Sequence, residues 1–147
     1  MDDGMSVAPE DRELRALLGD AHTIAVVGLS SKPNRPSHGV AAYLQDHGYR
    51  IVPVNPRETE VLGEPAYPSL RDLPPDIAVD VVDVFRRSEE TPEVARDAVA
   101  IGAKVLWLQE DIINEEAYRI ADDAGLDVIM GVCIMKTKRR LDREDAS

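Results

Sequence analysis

Residues Val26–Ser37, "VVGLSSKPNRPS", lead from an apolar run through a glycine into small, basic and proline residues. This transition is typical of the turn after the first strand of a nucleotide-binding α/β fold, where the backbone approaches a phosphate. The run that precedes the turn, "TIAVVGLS" (23–30), is short and rich in β-branched residues, as in strands buried on both faces. We therefore predict that the sheet begins at this stretch.

The same strand pattern recurs along the chain, at 50–56, 77–85, 104–109 and 126–131. Helical spacing predicts helices at 38–48, 91–103 and 114–125, and a weaker one at 69–74. Strands that alternate with helices need crossover connections, which place helices on both faces of a parallel sheet. The sequence therefore predicts a Rossmann-like, doubly wound α/β sheet of five strands, with an extra N-terminal helix at 9–20.

Length and composition limit the class of protein. The 147 residues suit one domain, predicted over 9–141 between loose tails at 1–8 and 142–147. The chain has an acidic start and lacks an apolar run long enough to cross a membrane, so we expect a cytoplasmic protein. The single cysteine, Cys133, excludes an internal disulfide and a cysteine-cluster metal site. A formal charge of −11 argues against a nucleic-acid surface.

Basic residues nevertheless follow the first three predicted strands. Because the carboxyl ends of parallel strands meet at one edge of the sheet, we expect these side chains to form an electropositive crevice there. They are Lys32, Arg35, Arg57, Arg86 and Arg87. Gly28 would let the backbone turn, and the hydroxyls of Ser30, Ser31 and Ser37 could bind phosphate beside the helix N-terminus. Solvation of ordinary loop cations is the competing interpretation.

A dinucleotide site fits the turn poorly. The fingerprint G-x-G-x-x-G requires glycines where this chain has Ser30 and Pro33. The acidic residue expected after the second strand is replaced by Asn55 and Pro56. The sequence thus favours a phosphate ligand other than NAD.

Several blocks, in order and spacing, resemble the small stand-alone CoA-binding proteins, which are similar to the CoA-binding domain of the succinyl-CoA synthetase alpha subunit. The blocks are "VVGLSSKPNRPS", "YRIVPVNP", "LGEPAYPSLRDLP", "VDVVDVFRRSEETPEVARDAVAIGAKVLWLQ" and "DIINEEA". The resemblance covers about residues 11–141. It implies a protein that binds coenzyme A or an acyl-CoA.

The resemblance also implies which residues contact CoA, in three groups. They are Ser30, Ser31, Lys32 and Pro33 in the first loop, Asn55, Pro56 and Arg57 in the second, and Phe85, Arg86 and Arg87 after the third strand. One block departs from the family, because Gly131, Val132 and Cys133 stand where relatives usually have Asp-Arg-Cys. Thr137 and Lys138 likewise replace a Glu-His pair.

Catalytic residues are not evident. His38 is expected at a helix start, Cys133 as a buried small side chain, and Trp107 and Tyr43 as packing residues. Asp80 and Asp83 are expected to point to opposite faces of a strand and to bond loops or backbone. We therefore expect a CoA-binding module without catalytic or metal-binding residues. The alternatives are an oxidoreductase or transferase that uses an NAD-type nucleotide, and an interaction subunit that has lost its ligand. The sequence does not indicate a protein partner.

Overall fold

The computed structural model describes residues 6–147, which form two layers of helices around a parallel sheet. The strands are β1 (Thr23–Val27), β2 (Arg50–Val54), β3 (Glu60–Val61), β4 (Glu64–Pro65), β5 (Val81–Val84), β6 (Val105–Leu108) and β7 (Asp127–Met130). The main sheet has the order β2-β1-β5-β6-β7, and every neighbouring pair in it is parallel. This confirms the predicted Rossmann-like, doubly wound fold. Strands β3 and β4 form a separate hairpin that was not predicted.

The helices are α1 (Asp11–Asp20), α2 (Pro36–Asp46), α3 (Thr91–Ala100), α4 (Glu115–Asp123) and α5 (Ile134–Ala146). Helices α1, α2 and α5 bury one face of the sheet, where Ile24, Val26 and Trp107 lie. Helices α3 and α4 cover the opposite face mainly with alanines, whose small side chains let these helices approach the sheet closely. Alternate residues of each strand therefore enter two separate hydrophobic cores.

The direction of winding reverses between β1 and β5. The chain passes from β1 outward to β2, and then returns to β5 on the other side of β1. In such sheets the loops at the carboxyl ends diverge at the reversal, which leaves a crevice between them. The fold therefore places the loops after β1, β2 and β5 around one opening.

Helix boundaries differ from the predicted ones by a few residues. Helix α2 begins at Pro36, two residues earlier than expected, because proline suits the first turn of a helix. Helix α3 begins at Thr91 as predicted, and the Thr91 hydroxyl donates to the Ser88 carbonyl at 2.7 Å. The Asn114 side chain accepts a hydrogen bond from the Ala117 N–H and so caps the start of α4. The weak helix at 69–74 is a single 3₁₀ turn, Leu70–Asp72.

The two ends of the described chain are ordered differently from the loose tails expected there. Helix α5 continues to Ala146, and its Leu141 is buried against the core. Arg140 pairs with Asp11 at 2.8 Å, and Arg15 of α1 pairs with Glu144 at 3.0 Å. At the N-terminus, residues 1–5 lie outside the described residues. Within residues 6–8, Val7 pairs with Met130 of β7.

Both outer strands of the sheet have a short segment beside them. Val7 exchanges two backbone hydrogen bonds of 2.9 Å with Met130 of β7, in an antiparallel bridge. On the other side, Tyr67 donates to Pro53 of β2 at 3.0 Å and accepts from the N–H of Asn55 at 2.8 Å. Part of each outer strand is thereby paired.

Candidate functional site

A cavity of about 550 Å³ opens beyond the carboxyl ends of β1, β2 and β5, where the winding reverses. We call it the crevice. Its lining comes from the loop after β1, the first two residues of α2, the loop after β2 and the residue that follows β5. The lining residues are Gly28, Ser30, Ser31, Lys32, Arg35, Pro36, Ser37, Asn55, Arg57, Glu58 and Phe85. Its volume lies within the range of small-molecule sites.

Gly28 fixes the first loop against the end of β5. Its φ of +90° is a conformation that side chains other than glycine rarely adopt, and an added Cβ would lie 2.3 Å from the carbonyl oxygen of Phe85. Its N–H donates to the Val54 carbonyl of β2 at 2.8 Å. At Gly28 the loop therefore lies in close contact with the ends of β2 and β5. A side chain would not fit there, so this position requires glycine.

Side chains of the same region hold the first loop in shape. The N–H of Ser30 donates to the Ser37 hydroxyl oxygen at 3.0 Å, and the N–H of Lys32 donates to the Ser30 hydroxyl oxygen at 3.1 Å. Both hydroxyls thus act as acceptors within the loop. Each keeps its own hydrogen, which can still be donated to a ligand oxygen.

Asn55 links the second loop to the first. Its side-chain amide donates to the Leu29 carbonyl at 3.0 Å, while its side-chain oxygen accepts from the N–H of Arg57 at 2.9 Å. An aspartate could not donate to a carbonyl. This double role accounts for asparagine at the position where a dinucleotide site has an acidic residue.

Three of the five predicted cations lie in the crevice. Lys32, Arg35 and Arg57 are exposed there, and none of them forms an ion pair with any carboxylate of residues 6–147. Against them the crevice lining holds one acidic residue, Glu58. The crevice is therefore locally positive on a chain with a formal charge of −11.

Arg86 and Arg87 form ion pairs with nearby carboxylates and do not line the crevice; Arg87 lies 3.8 Å from Glu89. Both arginines contact Glu90 at 2.7 Å. Hydrogen bonds from Arg87 and Arg86 lower the pKa of Glu90, and the bond to Glu90 raises the pKa of Arg87. Among the other predicted contacts, Pro33 also lies outside the crevice lining.

Pro56 and Arg86 line a second cavity of about 630 Å³, on the α3 side of the same strand ends. Its lining includes two arginines and five carboxylates: Arg86, Arg96, Glu89, Glu90, Glu93, Asp97 and Glu116. Although this cavity is larger, its excess of carboxylates disfavours phosphate groups. The crevice is the better anion site.

Sequence reasoning missed Glu58, whose carboxylate accepts a hydrogen bond of 2.9 Å from the N–H of Ser31. The residue belongs to an irregular loop, where no periodicity indicates which way a side chain points. Its position three residues after Asn55 was the only available signal.

Asp80 and Asp83 differ in the way each carboxylate is satisfied. As predicted, Asp80 bonds backbone, accepting from the N–H groups of His22 and Thr23 at 2.8 and 3.0 Å. Asp83 was expected to do likewise, but it is fully buried, and neither of its oxygens has a partner among residues 6–147. Burial raises the pKa of Asp83 well above its ordinary value.

The other residues considered in the sequence as possible functional residues lie in helices or in the hydrophobic core. His38 is the third residue of α2, and Cys133 is a buried residue at the N-cap position of α5. Trp107 is buried and donates to the Val132 carbonyl at 2.9 Å, while Tyr43 stacks on His47. Residues 131–133, where the chain departs from the family pattern, thus serve to join β7 to α5.

The described residues, 6–147, contain no group of three or more His, Cys, Asp or Glu side chains arranged to hold a metal ion. No helix in that part of the chain is both long enough and apolar enough to cross a bilayer.

Comparison with known proteins gives a family match over most of the chain. The model of a family described as a CoA binding domain matches residues 22–139. An uncharacterised Bacillus subtilis protein, YneT, is 45% identical over 126 residues, which cover 86% of this chain and 92% of the relative.

A solved structure matches nearly the whole chain. A hypothetical protein from Pyrococcus horikoshii superposes with a TM-score of 0.88 at 39% identity, covering 96% of this chain and 99% of the other.

A larger relative matches over part of its length. An ADP-forming acetate–CoA ligase of Archaeoglobus fulgidus is 26% identical over 102 residues, which are 68% of this chain but only 15% of the ligase.

Proposed function

The chain belongs to the CoA binding domain family, and from this premise we propose that it binds coenzyme A, free or acylated, in the crevice. One observation carries the proposal: three cations without ion-pair partners among residues 6–147 share a crevice with loop hydroxyls at the reversal of the winding. CoA carries a diphosphate and a 3′-phosphate, so it requires several positive groups in one place. Lys32, Arg35 and Arg57 would supply them.

The proposed role is binding without catalysis. Acyl transfer would need a nucleophile activated by a neighbouring base, or an acid and base within reach of the ligand. The crevice lining contains neither histidine nor cysteine. We propose that the protein holds or carries CoA, and that any chemistry on the acyl group takes place on another protein.

The ligand is tested by calorimetric titration of the purified chain with CoA, dephospho-CoA, NAD, NADP and ATP. We expect CoA to bind most tightly and dephospho-CoA less well, since it lacks the 3′-phosphate. Lys32→Ala and Arg57→Ala should each weaken CoA binding about tenfold or more, because a charge-assisted bond to phosphate contributes roughly 1.5–3 kcal/mol.

Arg50→Ala is the matched control. Arg50 is an exposed arginine at the amino end of β2, so the substitution removes the same charge far from the crevice. Equal weakening by Arg50→Ala and Arg57→Ala would show only general electrostatic attraction. Binding of NAD in preference to CoA would favour the NAD-type enzyme, and binding of none of these nucleotides would favour the interaction subunit.

A further inference from the structure

The crevice already contains an anion that belongs to the chain. Glu58 lines it, and one oxygen of its carboxylate accepts the Ser31 N–H at 2.9 Å. This contact joins the loop after β2 to the loop after β1, so it crosses the opening where the cations lie. A carboxylate on a backbone N–H is a charge-assisted hydrogen bond, stronger than one between neutral groups.

The backbone directs Glu58 toward the first loop. The N–H of Glu58 donates to the Asn55 carbonyl at 3.2 Å, closing a turn, and the Asn55 side chain ties this turn to Leu29. Glu58 is consequently only partly exposed, whereas Glu60, two residues further along, is exposed. The position of the carboxylate follows from the same turn that presents Arg57 to the crevice.

Three successive N–H groups of the first loop show what is special about this contact. Those of Ser30 and Lys32 donate to neutral hydroxyls of their own region. The N–H of Ser31 alone among the three donates to a charged group, and that group comes from another loop. A phosphate oxygen carries the same charge and seeks the same kind of donor.

We propose that Glu58 is an internal competitor for the anionic ligand, and that a ligand phosphate reaches the Ser31 N–H by displacing this carboxylate. The inference rests on the proposed function, because it assumes that the crevice takes phosphate. Glu58 would thus lower the affinity for every phosphate ligand and favour one with several charges, which can meet Lys32, Arg35 and Arg57 together.

The test is calorimetric titration of the wild type and two variants with CoA and, separately, with inorganic pyrophosphate. Glu58→Gln keeps the shape of the side chain and removes its charge, so we expect about fivefold tighter CoA binding. Glu60→Gln removes an equal charge from the first residue of β3, two residues further along, and should change affinity by less than about twofold, since exposed charges are screened by solvent. The Ser31 amide proton resonance should shift in Glu58→Gln without ligand, and not in Glu60→Gln.

The outcomes separate the two proposals. If Glu58→Gln binds CoA with the same affinity as the wild type or a lower one, the proposal that Glu58 competes with the ligand is overturned. A lower affinity would indicate that Glu58 accepts a hydrogen bond from a ligand hydroxyl. If the wild type does not bind CoA, the proposed function fails. The titrations with pyrophosphate then test whether Glu58 competes with a phosphate ligand. Tighter pyrophosphate binding by Glu58→Gln then supports the competitor, whereas equal affinity or no binding overturns it.

Discussion

Replacement of Asp83 by asparagine should remove a pH dependence from the stability of the fold. Asp83 lies in β5 between Val26 of β1 and Trp107 of β6, and all three side chains are fully buried. Since neither of its oxygens has a partner among residues 6–147, an ionised carboxylate would be unsolvated there, and burial raises the pKa of Asp83 well above its ordinary value.

The sign follows from proton binding. Above about pH 4 the unfolded chain has lost this proton while the folded chain keeps it, so the free energy of unfolding falls as pH rises. The loss is about 1.4 kcal/mol per pH unit until the pH reaches the folded pKa. Asp83→Asn has no such proton, because its amide does not titrate. Its stability relative to the wild type should therefore increase as pH rises above about 4, and the increase should end where the pH passes the raised pKa of Asp83 in the folded chain.

The assay is urea denaturation at pH 5, 6 and 7, followed by the fluorescence of Trp107, the single tryptophan. Other titrating groups are shared by the two proteins, so their contributions cancel in the difference. Asp76→Asn, which changes an exposed aspartate, should give a profile parallel to that of the wild type. If the difference in free energy of unfolding between Asp83→Asn and the wild type stays constant with pH, the reasoning that burial raises the pKa of Asp83 is refuted.

Three further substitutions test separate parts of the structure. Gly28→Ala should lower the free energy of unfolding by at least about 2 kcal/mol more than Gly48→Ala in urea denaturation, because both glycines have positive φ but only Gly28 faces a carbonyl oxygen at 2.3 Å; equal losses would mean that the loop moves away. Cys133→Ala should leave CoA affinity within about threefold, or ~0.7 kcal/mol, and a tenfold loss would give the thiol a role in binding. Although burial raises the pKa of Asp80, hydrogen bonds from two backbone N–H groups lower it overall. Asp80→Asn should therefore destabilise the fold at pH 7, with a difference from the wild type that shrinks as pH falls below about 4; a difference that is unchanged by acid would contradict this.

The main sheet was predictable because each of its strands is a short and largely apolar run. Strands of two residues and single β-bridges are too short to show an apolar run in the sequence. The two-residue strands β3 and β4 join through Leu62 and Gly63, both with positive φ, although leucine rarely adopts that conformation. The single bridge at Val7 is equally invisible in sequence.

Helix α5 was missed although its signal was present. Ile134 and Leu141 lie seven residues apart, which places them on one helical face, and Lys138 pairs with Asp142 one turn later. The first residues of α5 were instead assigned to the loop after the last strand, and residues 142–147 to a loose tail. The ion pairs with α1 that hold it depend on tertiary contact, which periodicity does not reveal.

The site was predictable at the level of loops but not of individual side chains. Topology alone places the loops after β1, β2 and β5 together, so Lys32 and Arg57 were expected in one crevice. Whether a cation faces the opening or a nearby carboxylate depends on local turns. Glu90 follows Arg86 by four residues and forms an ion pair with it. The i, i+4 spacing of the two residues could have indicated this pair.

The segments beside β2 and β7 determine how two molecules of this protein can meet. An outer strand with unpaired N–H and C=O groups is a template on which another chain can add a strand. Here an incoming strand cannot pair along the whole length of β2 or β7 without displacing Tyr67 or Val7. Concentrated protein should therefore resist the growth of intermolecular sheets, and a chain shortened to begin at Pro9 should aggregate sooner, through the uncovered side of β7.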